Sequence, residues 1–269
     1  MIKWMLAGAA LGSAVATVAF APATWLAGAV GAATDERVLL ADARGTVWRG
    51  SAVVVLTGGT GSRDASALPG RLQWHLGLDG AALALRARHA CCINGQLALR
   101  VVLGLGRLRV ELPATAGAIG QWPAAWLVGL GTPWNTLQPA GSLQLSSPGL
   151  TLESVQGRWR FTGQAQLDVG SFASRLSTLP VLGSYRLMLQ GAGAAADPGA
   201  AGAAGADAAT VQLSTTSGAL QLGGSGQWAA GRLRFKGQAS AEPGSEPALN
   251  NLLNIIGRRQ GALSLISIG

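Results

Sequence analysis

With 269 residues, the chain is long enough for one large or two smaller β domains whose core needs no covalent staples. Hydrophobic residues make up 49% of it and charged residues 12%, which argues against intrinsic disorder as its general state. The net charge of +8 is almost wholly arginine, Lys3 and Lys236 being the only lysines. Charge of that sign alone admits nucleic acid, anionic lipid or an acidic partner.

Between Lys3 and Asp35 there is no charged residue. The stretch Trp4–Phe20 is apolar and rich in small residues, with Trp4, Leu6, Leu11, Val15, Val18 and Phe20 as its larger apolar side chains. As a helix rising 1.5 Å per residue it would reach about 25 Å, the lower limit for spanning a bilayer. Pro22 ends or kinks it. A cleaved signal peptide is the rival reading, but Phe20-Ala21-Pro22-Ala23 is a poor cleavage site. The expectation is a retained membrane anchor and exit segment over residues 1–33, with Lys3 keeping the N-terminus cytoplasmic.

Residues 34–269 read as strands, because apolar and polar residues alternate with period two. In Arg71–Asp79, Leu72, Trp74, Leu76 and Leu78 share one side. In Arg107–Leu112, Leu108, Val110 and Leu112 oppose Arg107, Arg109 and Glu111. Arg158–Val169 and Arg232–Ala239 repeat the pattern, with arginines on the side away from the core. No aromatic is interleaved with these arginines on their own face, so nucleic-acid binding is not expected.

His89, Cys91 and Cys92 form an H-x-C-C cluster. A bond between adjacent cysteines departs from ordinary disulfide spacing, so a vicinal disulfide and two thiols both stay open. With no fourth ligand nearby the cluster does not close a tetrahedral zinc site, and no metal or cofactor is expected. A helical turn is expected over Trp122–Val128, a short helix over Ser171–Leu179, and a helix after Ser245 with Leu249, Leu252, Leu253 and Ile256 on one face. A last strand is expected over Ala262–Ile268. Residues 191–209, almost all Gly and Ala, are expected to be a mobile loop.

Pro22-Ala-Thr-Trp25-Leu26 recurs as Pro123-Ala-Ala-Trp126-Leu127. A glycine-bounded basic-aromatic strand recurs around Trp48, Trp159 and Phe235, which predicts burial of all three on one apolar face. The recurrence divides the β region into halves at about 34–120 and 121–269. The expected fold is therefore mostly β: a curved antiparallel sheet or open β-sandwich built from a repeated unit, with short helices and one N-terminal transmembrane helix. Gly131-Thr-Pro133-Trp134-Asn135-Thr-Leu-Gln-Pro139 is expected to be a loop outside the ladder, with Trp134 and Asn135 as candidate partner contacts.

Three stretches together resemble protein N of the type II secretion system. They are Gly45-Thr-Val-Trp48-Arg49-Gly50, Leu130-Gly131-Thr-Pro133-Trp134-Asn135-Thr-Leu-Gln-Pro139, and Leu252-Leu-Asn254-Ile-Ile-Gly257-Arg258-Arg259-Gln-Gly261. The resemblance implies a single-pass inner-membrane protein with its bulk in the periplasm. It further implies an accessory role in exporting folded proteins, with other secretion subunits as partners.

An enzyme is not expected. His75 and His89 lie on or beside strands without a nucleophile arrangement, the carboxylates are scattered, and no phosphate-binding glycine loop is present. The alternative to a secretion scaffold is a membrane-tethered periplasmic lipid-handling groove, if the apolar face is left open.

Overall fold

Period-two alternation builds a single sheet in the computed structural model, which describes residues 2–156, 158–191, 209–229 and 232–269. Two helices come first, α1 (Ile2–Ala19) and α2 (Ala23–Ala33). The first strands are β1 (Val38–Gly45), β2 (Arg49–Thr57), β3 (Ala65–Ala67), β4 (Leu72–Asp79), β5 (Ala82–His89), β6 (Leu97–Gly104), β7 (Arg107–Leu112) and β8 (Ala118–Pro123). A 3-10 helix (Ala124–Leu130) and the single turn α3 (Trp134–Leu137) follow. Then come β9 (Ala140–Val155), β10 (Arg158–Ala173), β11 (Gly183–Gln190), β12 (Ala209–Ser217), β13 (Leu220–Ala229) and β14 (Arg232–Ala241). Helix α4 (Glu246–Ile256) and the strands β15 (Arg258–Gln260) and β16 (Leu263–Ile268) close the chain.

All sixteen strands belong to one open sheet, ordered β1-β2-β4-β5-β6-β7-β9-β10-β11-β12-β13-β14-β16-β15, with β3 beside β2 and β8 beside β9. The described pairings are antiparallel, so neighbouring hairpins follow one another along most of the sheet. Of the two expected architectures, the curved sheet or the sandwich, the single sheet is the one formed. An extra residue in β9 lets Gln164 face Gly149 while Gln166 faces Ser146. This bulge flips the side-chain parity of β9, and Leu143, Leu145, Leu150 and Leu152 thereby stay on one face.

Among the described residues that apolar face is covered by a helix at two places. Near the start, α2 lies across β1 and β2, where Ala23, Ala52 and Trp74 are buried with Leu26, Leu40, Ala43 and Leu85 against them. Near the end, α4 buries Leu249, Leu252 and Leu253 on Tyr185, Leu220 and Ala239. The helix has Leu249, Leu252, Leu253 and Ile256 at helical spacing on one side, so it seats that side on the sheet, with Ile255 left exposed. Each fully buried leucine contributes roughly 1.5–3 kcal/mol. Ser245 precedes the helix, but its side chain makes no capping bond; the Glu246 carboxylate accepts from the Gly244 N–H instead.

Several expectations are corrected. Ser171–Leu179 is not helical: β10 runs on to Ala173, and the Ser174 and Ser177 hydroxyls accept from the N–H groups of Leu176 and Leu179 to make turns. Such local bonds compete with helix formation. The segment after Gly131 is not wholly a loop, since Trp134–Leu137 makes one helical turn. Trp48, Trp159 and Phe235 do not share a core. Only Phe235 is buried; Trp159 is 44% exposed, and Trp48 sits in the β1–β2 connection, donating its indole N–H to the Val18 carbonyl at 2.8 Å.

The anchor expected over Trp4–Phe20 is met as a helix, but no helix among the described residues is long and apolar enough to cross a membrane. Helix α1 has 18 residues, which rise about 27 Å against a hydrocarbon core of about 30 Å. The expected mobile loop at 191–209 lies, apart from its two end residues, outside the described residues.

Candidate functional site

Between its two covered patches the apolar face continues uninterrupted. Cross-strand pairs carry it from Leu76 and Leu85 through Leu83 and Val101, Val110 and Leu152, to Leu152 and Phe161. Such pairs stabilise the sheet from within, but each of these side chains is only half-buried. Leu78, Leu103, Trp159 and Trp228, at one end of their strands on this same face, are more than 40% exposed. The uncovered stretch deepens into a cavity of about 400 Å³ lined by Leu152, Trp159, Phe161, Leu189, Ala209 and Trp228.

The opposite face is charged. Arg186 pairs with Asp168 at 2.7 Å, Arg109 with Glu111 at 3.1 Å and Arg107 with Glu153 at 3.7 Å. These are partly exposed pairs, which contribute little to stability individually and mainly keep that face solvated. At the β1 edge, Asp42 accepts from Arg44 and from Arg71, the latter at 2.7 Å. The hydrogen bonds from Arg44 and then Arg71 hold the Asp42 carboxyl below the usual range.

The segment carrying Trp134 and Asn135 is fastened to the β2–β3 connection. Thr132-Pro133 is a cis peptide, and Gly131, at φ +75°, has a position where a Cβ would press within 3.1 Å of an Asp64 oxygen. Asn135 donates to Asp64 at 3.2 Å and accepts from the hydroxyls of Thr132 and Thr136 at 3.3 Å. Its side chain is therefore committed to holding the turn. Trp134 is half-buried and leaves part of its ring available. Of the anchor residues, Trp4, Val15 and Val18 are exposed on α1 and Phe20 in the turn just after it, while the side chains of Leu6 and Leu11 lie outside the described residues.

Cys91 and Cys92 are joined as a disulfide in the turn after β5. The Cys91 sulfur lies 3.3 Å from Nδ1 of His89, and the other ring nitrogen, Nε2, is buried with no hydrogen-bond partner among the described residues. Burial lowers the His89 pKa from its ordinary value. His75 accepts from the Arg49 guanidinium at 3.1 Å. Tyr185 donates to the Leu220 carbonyl under α4, and burial raises its pKa.

The sequence placed Trp74, which is 5% exposed, and Leu78 only on the apolar side of their strand, and the exposed Leu103, Leu105 and Trp228 were not singled out. Leu105 had a legible signal: it sits between Gly104 and Gly106 at a hairpin turn, where polar residues usually stand.

These features define an open, single-sheet antiparallel β protein with one apolar face, largely uncovered by the described residues, and one charged face. A family model of type II secretion system (T2SS) protein N matches residues 36–265. The chain belongs to that family, and an accessory role in type II secretion goes with membership. No curated protein and no solved structure matches it significantly.

Proposed function

We propose that the chain is a non-catalytic accessory component of the type II secretion apparatus. It is held at the inner membrane by α1 with its β sheet in the periplasm, and supports export of folded proteins through contacts with other subunits. The family match over residues 36–265 carries this reading. The membrane part draws support from Lys3 at the start of α1, from the exposed Trp4, Val15 and Val18 along it and from Phe20 just after it. A helix short by about 3 Å is accommodated by local thinning of the bilayer.

Trp134 is the proposed partner contact, because a half-buried aromatic on a turn locked by Asn135 and Asp64 is pre-organised for docking. Trp134→Ala is expected to lower exoprotein secretion while membrane abundance and melting temperature stay close to wild type. A fall in abundance parallel to secretion would make Trp134 a packing residue instead. Retention of the chain in membranes after alkaline wash, with the β region open to protease only from the periplasmic side, is the matching result for topology.

The uncovered face favours a second reading, that of a tethered lipid-handling groove. Its cavity of about 400 Å³ falls within the usual size of ligand sites, and its lining side chains are apolar. Lipid recovered with the purified chain, and lost on Phe161→Arg, is the outcome this reading requires.

A further inference from the structure

The pairing registers give the sheet two distinct ends. One carries the hairpin tips between β1 and β2, β4 and β5, β6 and β7, β9 and β10, and β13 and β14. At this end stand Leu78, Leu103, Val155, Trp159 and Trp228, all between 38% and 78% exposed, and Leu105, which is exposed outright. At the other end the described residues expose Val181, Leu263 beside the β15–β16 turn and, on α4, Ile255 among large apolar residues. Singly scattered apolar residues need no explanation, but a row concentrated along neighbouring hairpin tips does.

Two further observations say what meets this row. First, the described tips between β4 and β10 carry two arginines, Arg107 and Arg158, against one carboxylate, Asp79, while the segment joining β11 and β12 at this end, which has Asp197 and Asp207 in sequence, lies outside the described residues. Second, α1 joins the sheet at this end. Its last turn is bound to the first hairpin by the Trp48 indole on Val18, by the Val47 N–H on Ala21 at 2.8 Å, and by a bridge between Pro22 and Thr46. Helix α2 then leads away along the sheet, so whatever surrounds α1 lies beside the tips.

From this we infer that the hairpin tips between β4 and β10, with Leu78, Leu103, Leu105 and Trp159, dip into the surface of an anionic phospholipid bilayer beside α1. The inference rests on the inner-membrane reading above. Its chemistry is that of interfacial binding: leucine and tryptophan enter the headgroup boundary while arginines meet lipid phosphates. Three neighbouring hairpins, six strands at about 4.8 Å spacing, present roughly 25 Å of this edge. The sheet would then stand on the membrane by its strand ends, and the short α1 would not be the chain's sole hold.

The test uses the full chain in vesicles of phosphatidylethanolamine and phosphatidylglycerol, with an environment-sensitive thiol probe placed at Leu105→Cys, Val18→Cys or Ala116→Cys. The wild-type chain, its cysteines joined to each other, is the labelling control. Lipids brominated near the headgroup end of the acyl chain should extinguish most of the emission at 18 and at 105 and leave that at 116, at the far end of the sheet, intact. Loss at 18 with emission at 105 unchanged would overturn the inference and leave the inner-membrane reading standing. Emission unchanged at 18 as well would overturn both. A response at 105 that needs native membrane proteins would assign the tips to a protein partner and equally overturn the bilayer.

Discussion

Two stretches of the same apolar face differ only in what lies over them. Under α4, Tyr185, Leu220 and Ala239 are buried to 4% exposure or less, whereas Leu99, Val101, Val110 and Leu152 remain half-buried. The β13–β14 ladder under α4 is as regular as β5–β6 and β6–β7, and the alternation is equally clean. Burial here is supplied by the covering helix and not by the strands themselves. The sheet is thus a stable platform near its two edges, under α2 and α4, with an exposed apolar span between. A span of this kind is where a type II secretion component built on one sheet has surface to offer.

The comparison predicts a gradient of mutational cost. The largest losses belong to the covered patches. Trp74→Ala under α2 should lower stability by about 3–5 kcal/mol, because the ring packs over Gly50 and its indole N–H donates to the Val47 carbonyl at 3.0 Å. Leu253→Ala on α4 should lose about 2–5 kcal/mol. Urea unfolding followed by circular dichroism measures both. Equal losses at Leu99→Ala would mean that the middle of the face is covered in solution and would dissolve the contrast.

Smaller effects belong to the uncovered span. Trp159→Ala removes a ring already 44% exposed, so about 1–2 kcal/mol is expected, well below the cost at Trp74. Alternation alone assigned Trp159 to the core, and this marks the limit of what was legible. Period two reports which side chains share a face, and it placed the starts of the strands at Leu72, Arg107, Arg158 and Arg232 within a residue, although β10 runs four residues past the expected Val169. It is blind to whether anything lies over that face, since a covered and an uncovered strand carry the same pattern.

Helix α4 was legible because its spacing of 3, 4 and 7 is a local property. Its landing place on Tyr185 and Leu220 depends on contacts far apart in the chain. The two candidate contacts differ in the same local and non-local sense. Trp134 keeps an available ring, but Asn135 is consumed by Asp64, a partner 71 residues away that no local pattern could name. The hydroxyls of Ser174 and Ser177 likewise outcompeted a helix that composition alone allowed.

The smallest expected effect tests the rim of the uncovered span. His89 pairs with Leu72 across β4 and β5 and is 3% exposed, although the face it borders is open. Burial lowers its pKa, so the folded chain holds it neutral where the unfolded chain, with its ordinary value of 6.5, begins to take up a proton. The unfolded state then binds more protons, and stability must fall as the pH drops below that value toward the folded pKa. Above it the contribution is complete and flat. Melting temperatures taken between pH 8 and pH 5 should therefore decline only in the acid half of the range (about a unit either side of the histidine midpoint), with Asp42, whose carboxyl is held low, contributing further down. His89→Gln removes the titration and should flatten this decline, whatever it does to stability at neutral pH. A slope left unchanged in the variant would mean that His89 is open to water, and that the rim, like the span it borders, is uncovered.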